Sequence, residues 1–218
     1  MNPEARGEKA GAGLSRKAVQ NPRNLEARPE RWSGRIIALH WTAGAVILGL
    51  IALGWIMVHG GLDSAATFDL YQRHKSWGFV ALALTAGRLA ERFAISSPRA
   101  PASPRWERRL AAWTQGALYL LTLCAILSGW LVVSASPLPV PTRFFGLIVI
   151  PNIARPAPSL FAAAELAHET AAWAIAALVA LHVAGALRHH FVEGDDVLKR
   201  MLPRRRRLVP PPACDRGR

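Results

Sequence analysis

The fold prediction starts from one apolar stretch, which runs from Ala167 to His190: A-H-E-T-A-A-W-A-I-A-A-L-V-A-L-H-V-A-G-A-L-R-H-H. Between Thr170 and Leu187 the one strongly polar residue is His182, and His168 precedes it by fourteen residues. Fourteen residues are just under four helical turns, so both imidazoles share a helix face about 21 Å apart along the axis. This spacing predicts two metal or haem sites stacked across a membrane, provided that other segments supply the remaining ligands.

The composition also indicates a membrane protein. The chain has 218 residues, of which 51% are hydrophobic, yet its formal net charge is +13. A soluble nucleic-acid-binding protein can be this basic, but it would not carry several nearly uncharged runs of about 20 residues. No nucleic-acid partner is therefore predicted. The two cysteines, Cys124 and Cys214, suggest no disulfide, and without a C-x-x-C-H motif any haem is not attached covalently.

The chain divides into two polar tails and one apolar domain. We predict a disordered tail over residues 1–30, a membrane domain over 31–203, and a basic, Pro-rich tail over 204–218. Within the domain, an all-α bundle of four up-and-down transmembrane helices is predicted. The helices cover about 36–58, 74–93, 110–133 and 165–190, the second being the least apolar, with a polar loop over 60–69. The apolar segment 144–150 is too short to cross and is expected at the membrane interface.

The distribution of Lys and Arg predicts the orientation. Eight occur up to Arg35, six between Arg88 and Arg109, and nine from Arg188 onward, whereas the other two connections hold two each. The positive-inside rule then places both termini and the middle loop in the cytoplasm. The run at 204–207 could be a nucleic-acid patch, but a juxtamembrane anchor is the simpler interpretation of its position.

With this orientation, four histidines pair by depth. His40 lies four residues into the first helix and His182 six residues before the end of the last, so both lie roughly 6–9 Å from the cytoplasmic side. His74 and His168 each begin a helix on the outer side. The pairs His40/His182 and His74/His168 are therefore predicted to be the axial iron ligands of two haem groups.

Two histidines at each depth suit a b-type haem held from opposite faces. Zinc would require three or four protein ligands, and the nearby carboxylate is Glu169 alone. For any single histidine, a hydrogen bond between helices or an interfacial position stays an open alternative. The depth-matched set of four favours ligation, because ionisable groups inside a membrane are costly and usually functional.

Three further residues are assigned to the haem sites by position. Gly54 lies fourteen residues after His40, at the depth of the outer haem, where it would leave room for the macrocycle. Arg88 lies fourteen after His74, where it would face an inner-haem propionate. On the third helix, Gly116 and Gly129 would pack against the two haems. The alternatives are that the glycines only allow close helix packing and that Arg88 is only a cytoplasmic charge.

Lys75 gives the outer site a positive rim. Beside His74, it would steer an anionic partner toward the outer haem. The alternative is that its ammonium group extends to the interface without a functional partner.

Seven short motifs resemble the prokaryotic cytochrome b561 family. They are I-A-L-H-W at His40, H-K-S-W-G at His74, W-E-R-R-L-A at Trp106, L-S-G-W-L at Leu127, F-F-G-L at Phe144, E-L-A-H-E at His168 and A-L-H-V-A-G-A-L-R-H-H at Ala180. The resemblance covers about 31–203 and implies a di-haem cytochrome of the bacterial inner membrane with His40, His74, His168 and His182 as axial ligands. It also implies electron transfer between quinol and another carrier, one family activity being superoxide oxidation coupled to quinone reduction. Histidines common early in the third helix of relatives are replaced here by Ala112, Trp113 and Gln115.

Three functions follow from these patterns. The first is a di-haem b-type cytochrome that transfers electrons across the bilayer between a ubiquinone/ubiquinol pool and another partner, which the resemblance extends to superoxide. The second is a cytochrome b anchor subunit of a dehydrogenase or hydrogenase. A homodimer competent in quinol oxidation would favour the first, and co-purification with a redox partner protein the second. The third is a cofactor-free bundle, which predicts a colourless protein.

Overall fold

The described part of the chain contains four long helices. The computed structural model describes residues 31–94, 104–138 and 140–203; the tails predicted at 1–30 and 204–218 lie outside this part of the chain. The elements are, in order, α1 (Gly34–His59), α2 (Ser64–Ala94), α3 (Arg105–Ala135), β1 (Thr142–Phe144), β2 (Ile148–Ile150), α4 (Pro158–Phe191) and α5 (Val197–Arg200).

Three of the helices are long and apolar enough to cross a membrane. These are α1, α3 and α4, each with only about a tenth of its apolar window buried inside the protein. Large apolar side chains such as Leu48, Leu120 and Leu166 point outward instead, as expected where lipid is the solvent. Helix α2 is long enough to cross a membrane but is less apolar than these three helices. Charged residues occupy both of its ends, around the apolar stretch 77–87.

The helices pack as two antiparallel pairs. Helix α1 lies along α2 and α3 along α4, whereas α4 approaches α1 and α2 at few residues. We call the end where α1 begins and α4 ends the inner end, and the opposite end the outer end. Ion pairs tie the inner end together: Arg35 to Glu91 at 3.4 Å joins α1 to α2, and Arg188 to Glu107 at 3.1 Å joins α4 to α3.

Helix α2 begins ten residues earlier than the prediction from hydropathy. Asp63 is the reason, because its Oδ1 accepts a hydrogen bond from the N–H of Ala66 at 2.8 Å and caps the helix. The predicted polar loop over 60–69 is therefore wrong beyond Asp63, and the residues from Ser64 to Asp69 form two helical turns. Helix α4 likewise begins at Pro158, in the first turn, where proline is favoured.

A β-hairpin makes the all-α prediction incomplete. Strands β1 and β2 pair antiparallel, and the turn between them contains Phe145 at φ 47° and Gly146 at φ 78°. Two successive positive φ values define a type I′ turn, whose twist matches that of a tight hairpin; the Leu147 N–H donates to the Phe144 carbonyl at 2.9 Å. The apolar segment 144–150, which was expected only to lie at the interface, therefore supplies the last residue of β1, the turn and β2.

The tryptophans fall into two groups. Four lie toward the inner end and four toward the outer end: Trp32, Trp41, Trp106 and Trp113, then Trp55, Trp77, Trp130 and Trp173. The outer group includes an edge-to-face contact between Trp55 and Trp173, with ring centroids 5.8 Å apart. Belts of tryptophan at two levels are typical of the two membrane–water interfaces.

Candidate cofactor site

The inner histidine pair joins the first and last long helices. The ring centroids of His40 on α1 and His182 on α4 lie 6.2 Å apart, with an angle of 61° between the ring planes. Both residues are near the inner end, although they are 142 positions apart in the sequence. The bundle thus brings the two imidazoles together, edge toward face, where α1 and α4 have little other contact.

The outer pair has nearly the same geometry. His74 on α2 and His168 on α4 have ring centroids 6.0 Å apart and an interplanar angle of 77°. Nδ1 of His74 is buried without a hydrogen-bond partner. A buried polar atom in this state is uncommon, and it favours a site completed by a further group.

The spacing of both pairs fits a metal ion between two imidazoles. A bond from a metal to an imidazole nitrogen is about 2 Å long, so two such bonds on opposite sides put the ring centroids roughly 6 Å apart. These residues therefore fit haem b, with His40/His182 and His74/His168 as the groups that would hold it.

Helix α3 holds the ring of His168 in one tautomer. Nδ1 of His168 lies 2.7 Å from the carbonyl oxygen of Ala125. Because a carbonyl only accepts, Nδ1 carries the proton and Nε2 keeps its lone pair for a metal. Gly129, one turn further along α3, lies directly against the ring: a Cβ atom there would be 2.9 Å from Cε1 of His168.

Arg88 lies within the inner site. Its Nη2 is 3.2 Å from Nδ1 of His40, and its guanidinium carbon is 5.4 Å from the centre of the Tyr119 ring. Arginine can only donate, so Nδ1 of His40 accepts this hydrogen bond. Arg88 thus contacts a histidine of the inner pair, and its predicted contact with a haem propionate stays a prediction.

Of the remaining predicted residues, Gly54 and Lys75 lie toward the outer end and Gly116 lies toward the inner end. A Cβ atom on Gly54 would be 3.6 Å from Cε1 of His74, which is ordinary van der Waals contact. Lys75 is half-buried next to His74 on α2. Gly116, predicted to pack against the inner haem, has open space around its Cα: nothing lies within 4 Å of a Cβ placed there.

The two last histidines of α4 belong to the inner rim. Nδ1 of His189 lies 2.6 Å from Glu193 and 2.8 Å from Asp195. His190 has a buried Nδ1 without a hydrogen-bond partner in the described part of the chain. Neither ring is paired with His40 or His182 in the structure, so both lie outside the two histidine pairs.

Sequence reasoning missed the contacts that orient the ligands. The Ala125 carbonyl carries no signal in the sequence, because every residue has one. Arg88 was found by its fourteen-residue spacing from His74, but its bond to His40 depends on how α1 and α2 pack. Gly129 was singled out as a residue that would pack against a haem, but its close contact with the ring of His168 was not foreseen.

A bundle of apolar helices that brings two histidine pairs together at different depths defines the class of membrane-bound b-type cytochromes. Within this class the chain belongs to the prokaryotic cytochrome b561 family, whose model matches residues 31–204. The family consists of transmembrane electron-transfer proteins that bind b-type haem.

Two relatives from Escherichia coli (strain K12) are similar over nearly their whole length. Cytochrome b561 homolog 2 is 34% identical over 178 residues, which cover 80% of this chain and 92% of that protein. Cytochrome b561 homolog 1 is 28% identical over 179 residues, covering 81% of this chain and 99% of that protein. The family match at 31–204 spans all four long helices of the described part of the chain.

Proposed function

We propose that the protein binds two b-type haems and relays electrons across the bilayer between a quinone pool and a partner at the outer side. The observation that carries this proposal is the matched geometry of the two histidine pairs. Their ring centroids are 6.2 Å and 6.0 Å apart, close to the separation that two axial bonds require. Haem b, once held by two imidazoles, accepts and donates one electron at its iron.

Three helices supply the histidines that would hold the two haems. Helix α4 supplies one ligand to each site, His168 and His182, while α1 and α2 supply His40 and His74. The Ala125 carbonyl keeps the proton of His168 on Nδ1, which leaves Nε2 free. Arg88 now donates to His40 Nδ1. Ligation through Nε2 would put a proton on that nitrogen, so Arg88 would turn to an anionic acceptor such as a propionate.

We infer that α2 also spans the membrane, which gives four spans with both termini in the cytoplasm. Its apolar stretch 77–87 is flanked by Asp69 and Arg73 at the outer end and by Arg88, Glu91 and Arg92 at the inner end. Helix α2 is packed along the membrane-spanning α1, which covers one side of its weaker apolar face. The Lys and Arg of the segments at the inner end support an inner-membrane orientation.

The outer partner proposed here is a small anion, of which superoxide is an example. Lys75 is half-buried beside His74, and its positive charge would attract an anion to the outer site. At the other end of the relay, two electrons and two protons interconvert quinol and quinone. The bilayer is the source of that lipid-soluble carrier.

Haem counting on the purified protein tests the proposal. We expect two haems per chain and a reduced-minus-oxidised spectrum typical of b-type haem. His40→Ala and His182→Ala should remove one and the same haem, and His74→Ala and His168→Ala the other. A single haem in the wild-type protein, or losses that follow any other pairing, would contradict the assignment.

The alternative function as an anchor subunit needs a separate measurement. Purification under mild conditions, followed by mass spectrometry, would reveal a stoichiometric dehydrogenase or hydrogenase partner. Quinol oxidation by the isolated chain at rates equal to those in intact membranes would instead support a stand-alone cytochrome. A colourless protein after expression with ample haem supply would contradict both.

A further inference from the structure

The β-hairpin is attached to α2 at the level of His74. Gln72 and Ser76, the residues two before and two after His74, both bind the hairpin backbone. We propose that the hairpin is a positioning element for the outer haem: it fixes the rotation of α2 and so the direction in which His74 presents its imidazole. This inference rests on the proposed role of His74 as an outer-haem ligand.

Ser76 forms the centre of the attachment. Its side chain is buried, with 1% of the residue exposed. The hydroxyl oxygen accepts a hydrogen bond from the Phe145 N–H at 3.0 Å. Its single proton is within reach of two carbonyl oxygens, that of Gln72 at 2.9 Å within α2 and that of Arg143 at 3.2 Å in β1. One hydroxyl thus joins the helix to β1 and to the first residue of the turn.

Gln72 adds a second attachment one helical turn away. Its Nε2 donates to the Pro141 carbonyl at 3.3 Å, and its Oε1 accepts from the Arg143 N–H at 3.4 Å. The side-chain amide therefore bonds the start of β1 as a neighbouring strand would. Gln72 and Ser76 together attach α2 to the hairpin at two points. Two points resist rotation of α2 about its axis, whereas one point would permit it.

The attachment affects His74 because it lies on the opposite face of α2. Residues 72 and 76 are four apart and share a helix face, whereas residue 74 lies about 200° around the axis from each. The hairpin therefore binds the face of α2 opposite His74. On the other face, the ring centroid of His74 lies 6.0 Å from that of His168. At the imidazole, a rotation of α2 by about 20° would move the ring by roughly 2 Å, and metal bonds tolerate about a tenth of that.

The turn is strained at the residue that makes the attachment. Phe145 has φ 47°, a conformation that is uncommon for a bulky residue. Its ring packs edge-to-face on Trp77 of α2, with centroids 5.5 Å apart, and its N–H is bonded to Ser76. Strain of this kind persists only where surrounding contacts hold it. The contacts of Phe145 with α2 therefore hold the turn in a conformation that is uncommon for this residue.

Removal of the Ser76 hydroxyl tests the proposal in the haem-loaded protein. In Ser76→Ala we expect both haems to be retained. At a fixed ambient potential, the ratio of reduced to oxidised outer haem should change about twofold or more, and the low-spin electron paramagnetic resonance signal of that haem should shift. The inner haem serves as an internal reference and should stay the same. The two haems are distinguished with His40→Ala and His74→Ala.

Ser134 offers a matched control. It is also 1% exposed, donates to a carbonyl four residues earlier (Trp130, 2.8 Å) and accepts from a loop N–H (Ile153, 3.1 Å), but it lies on α3 rather than α2. Ser134→Ala should leave the outer haem signal as in the wild type. An equal shift in Ser134→Ala would mean that any loosened loop perturbs the site, and would overturn the specific role of the hairpin.

Gln72→Ala keeps the test decisive if Ser76→Ala does not fold. It removes two hydrogen bonds from a half-buried position and should shift the outer haem in the same direction by a smaller factor. Unchanged outer-haem spectra and redox ratio in the variant, or equal shifts of both haems, would overturn the proposal. A wild-type protein that lacks the outer haem, or a His74→Ala variant that retains it, would instead refute the proposed function and this inference with it.

Discussion

Gly129 on α3 and His168 on α4 are in contact so close that no side chain fits between them: a Cβ atom at position 129 would be 2.9 Å from Cε1 and 3.0 Å from Nδ1 of the imidazole. The ring cannot retreat freely, because Nδ1 is bonded to the Ala125 carbonyl at 2.7 Å. Helix α3, which contains no histidine, therefore fixes the position of the His168 imidazole.

Gly129→Ala should selectively impair the outer haem. The methyl group would push the imidazole away from its carbonyl partner, at a cost of about 1–3 kcal/mol. We expect outer-haem occupancy to fall by about half or more, measured as haem per chain in the purified variant. Gly116→Ala on the same helix has open space for its methyl group and should keep both haems. Equal haem content in the two variants would contradict this account of Gly129.

Substitutions of Gly54 should follow side-chain size. An Ala methyl at this position would be 3.6 Å from His74 Cε1, an ordinary contact, so Gly54→Ala should keep the outer haem. Gly54→Leu would extend into the space of the ring, and we expect it to lose outer haem while retaining inner haem. Gly49→Leu, at a position of α1 with open surroundings, is the control. Full occupancy of both haems in Gly54→Leu would exclude a role for Gly54 in making room.

The charge of Arg88 should raise the potential of the inner haem. Arg88 lies 3.2 Å from His40 Nδ1 and would stay at the inner site if it turned to a propionate. A positive charge there favours the reduced haem, because that form carries one positive charge less. In Arg88→Ala the inner-haem midpoint should fall by an amount on the order of tens of millivolts, as followed by redox titration. Arg35→Ala removes a cation from the same end, but that side chain is 76% exposed and its loss should have little effect. An unchanged inner midpoint in Arg88→Ala would refute the assignment.

Charge reversal at Lys75 tests steering at the outer site. Lys75→Glu should slow the reaction of the outer haem with an anionic redox partner by a factor on the order of three to ten at low salt, with the difference shrinking as salt screens the charge. Stopped-flow absorbance of the haem band measures this rate. Lys199→Glu, at the inner end in α5, should leave the rate as in the wild type. A rate for Lys75→Glu that does not vary with salt would favour the interfacial role of this lysine.

The ion pair between Glu107 and Arg188 should stabilise the inner end. The Glu107 side chain is only 8% exposed, and Arg188 bonds it at 3.1 Å. In Arg188→Ala a buried carboxylate loses its partner, at a cost of about 1–3 kcal/mol, seen as a lower Tm in detergent. Removing both partners in Arg188→Ala/Glu107→Gln should recover part of the loss. Arg73→Ala breaks an exposed pair with Asp69 and should change Tm little; an equal effect of Arg73→Ala would contradict this reasoning.

Two features of the fold could be predicted from the sequence with good reason. Apolar runs of about 20 residues bounded by basic loops predict membrane helices, because the bilayer accepts uncharged segments whose backbone is internally bonded. The spacing of His168 and His182, and the depths of His40 and His74, predict the same two pairs of rings that meet in the structure. That these rings bind haem stays a proposal until it is measured.

Other features depended on contacts that no local pattern encodes. The start of α2 at Ser64 follows from one capping carboxylate, Asp63, which overrides a run of polar residues that looks like a loop. The hairpin at 142–150 was missed because its strands have three residues each, and because its bonds to Gln72 and Ser76 join segments about 70 residues apart in the sequence.

The sequence by itself therefore determined the class of protein, the depth of each histidine and the partner each one meets, because helix rise and hydropathy are local properties. Only the tertiary structure decided how each imidazole is aimed. The carbonyl of Ala125, the bare surface of Gly129, the guanidinium of Arg88 and the hairpin behind His74 come from distant parts of the chain. Their positions depend on the packing of one helix against another, which is a property of the whole bundle.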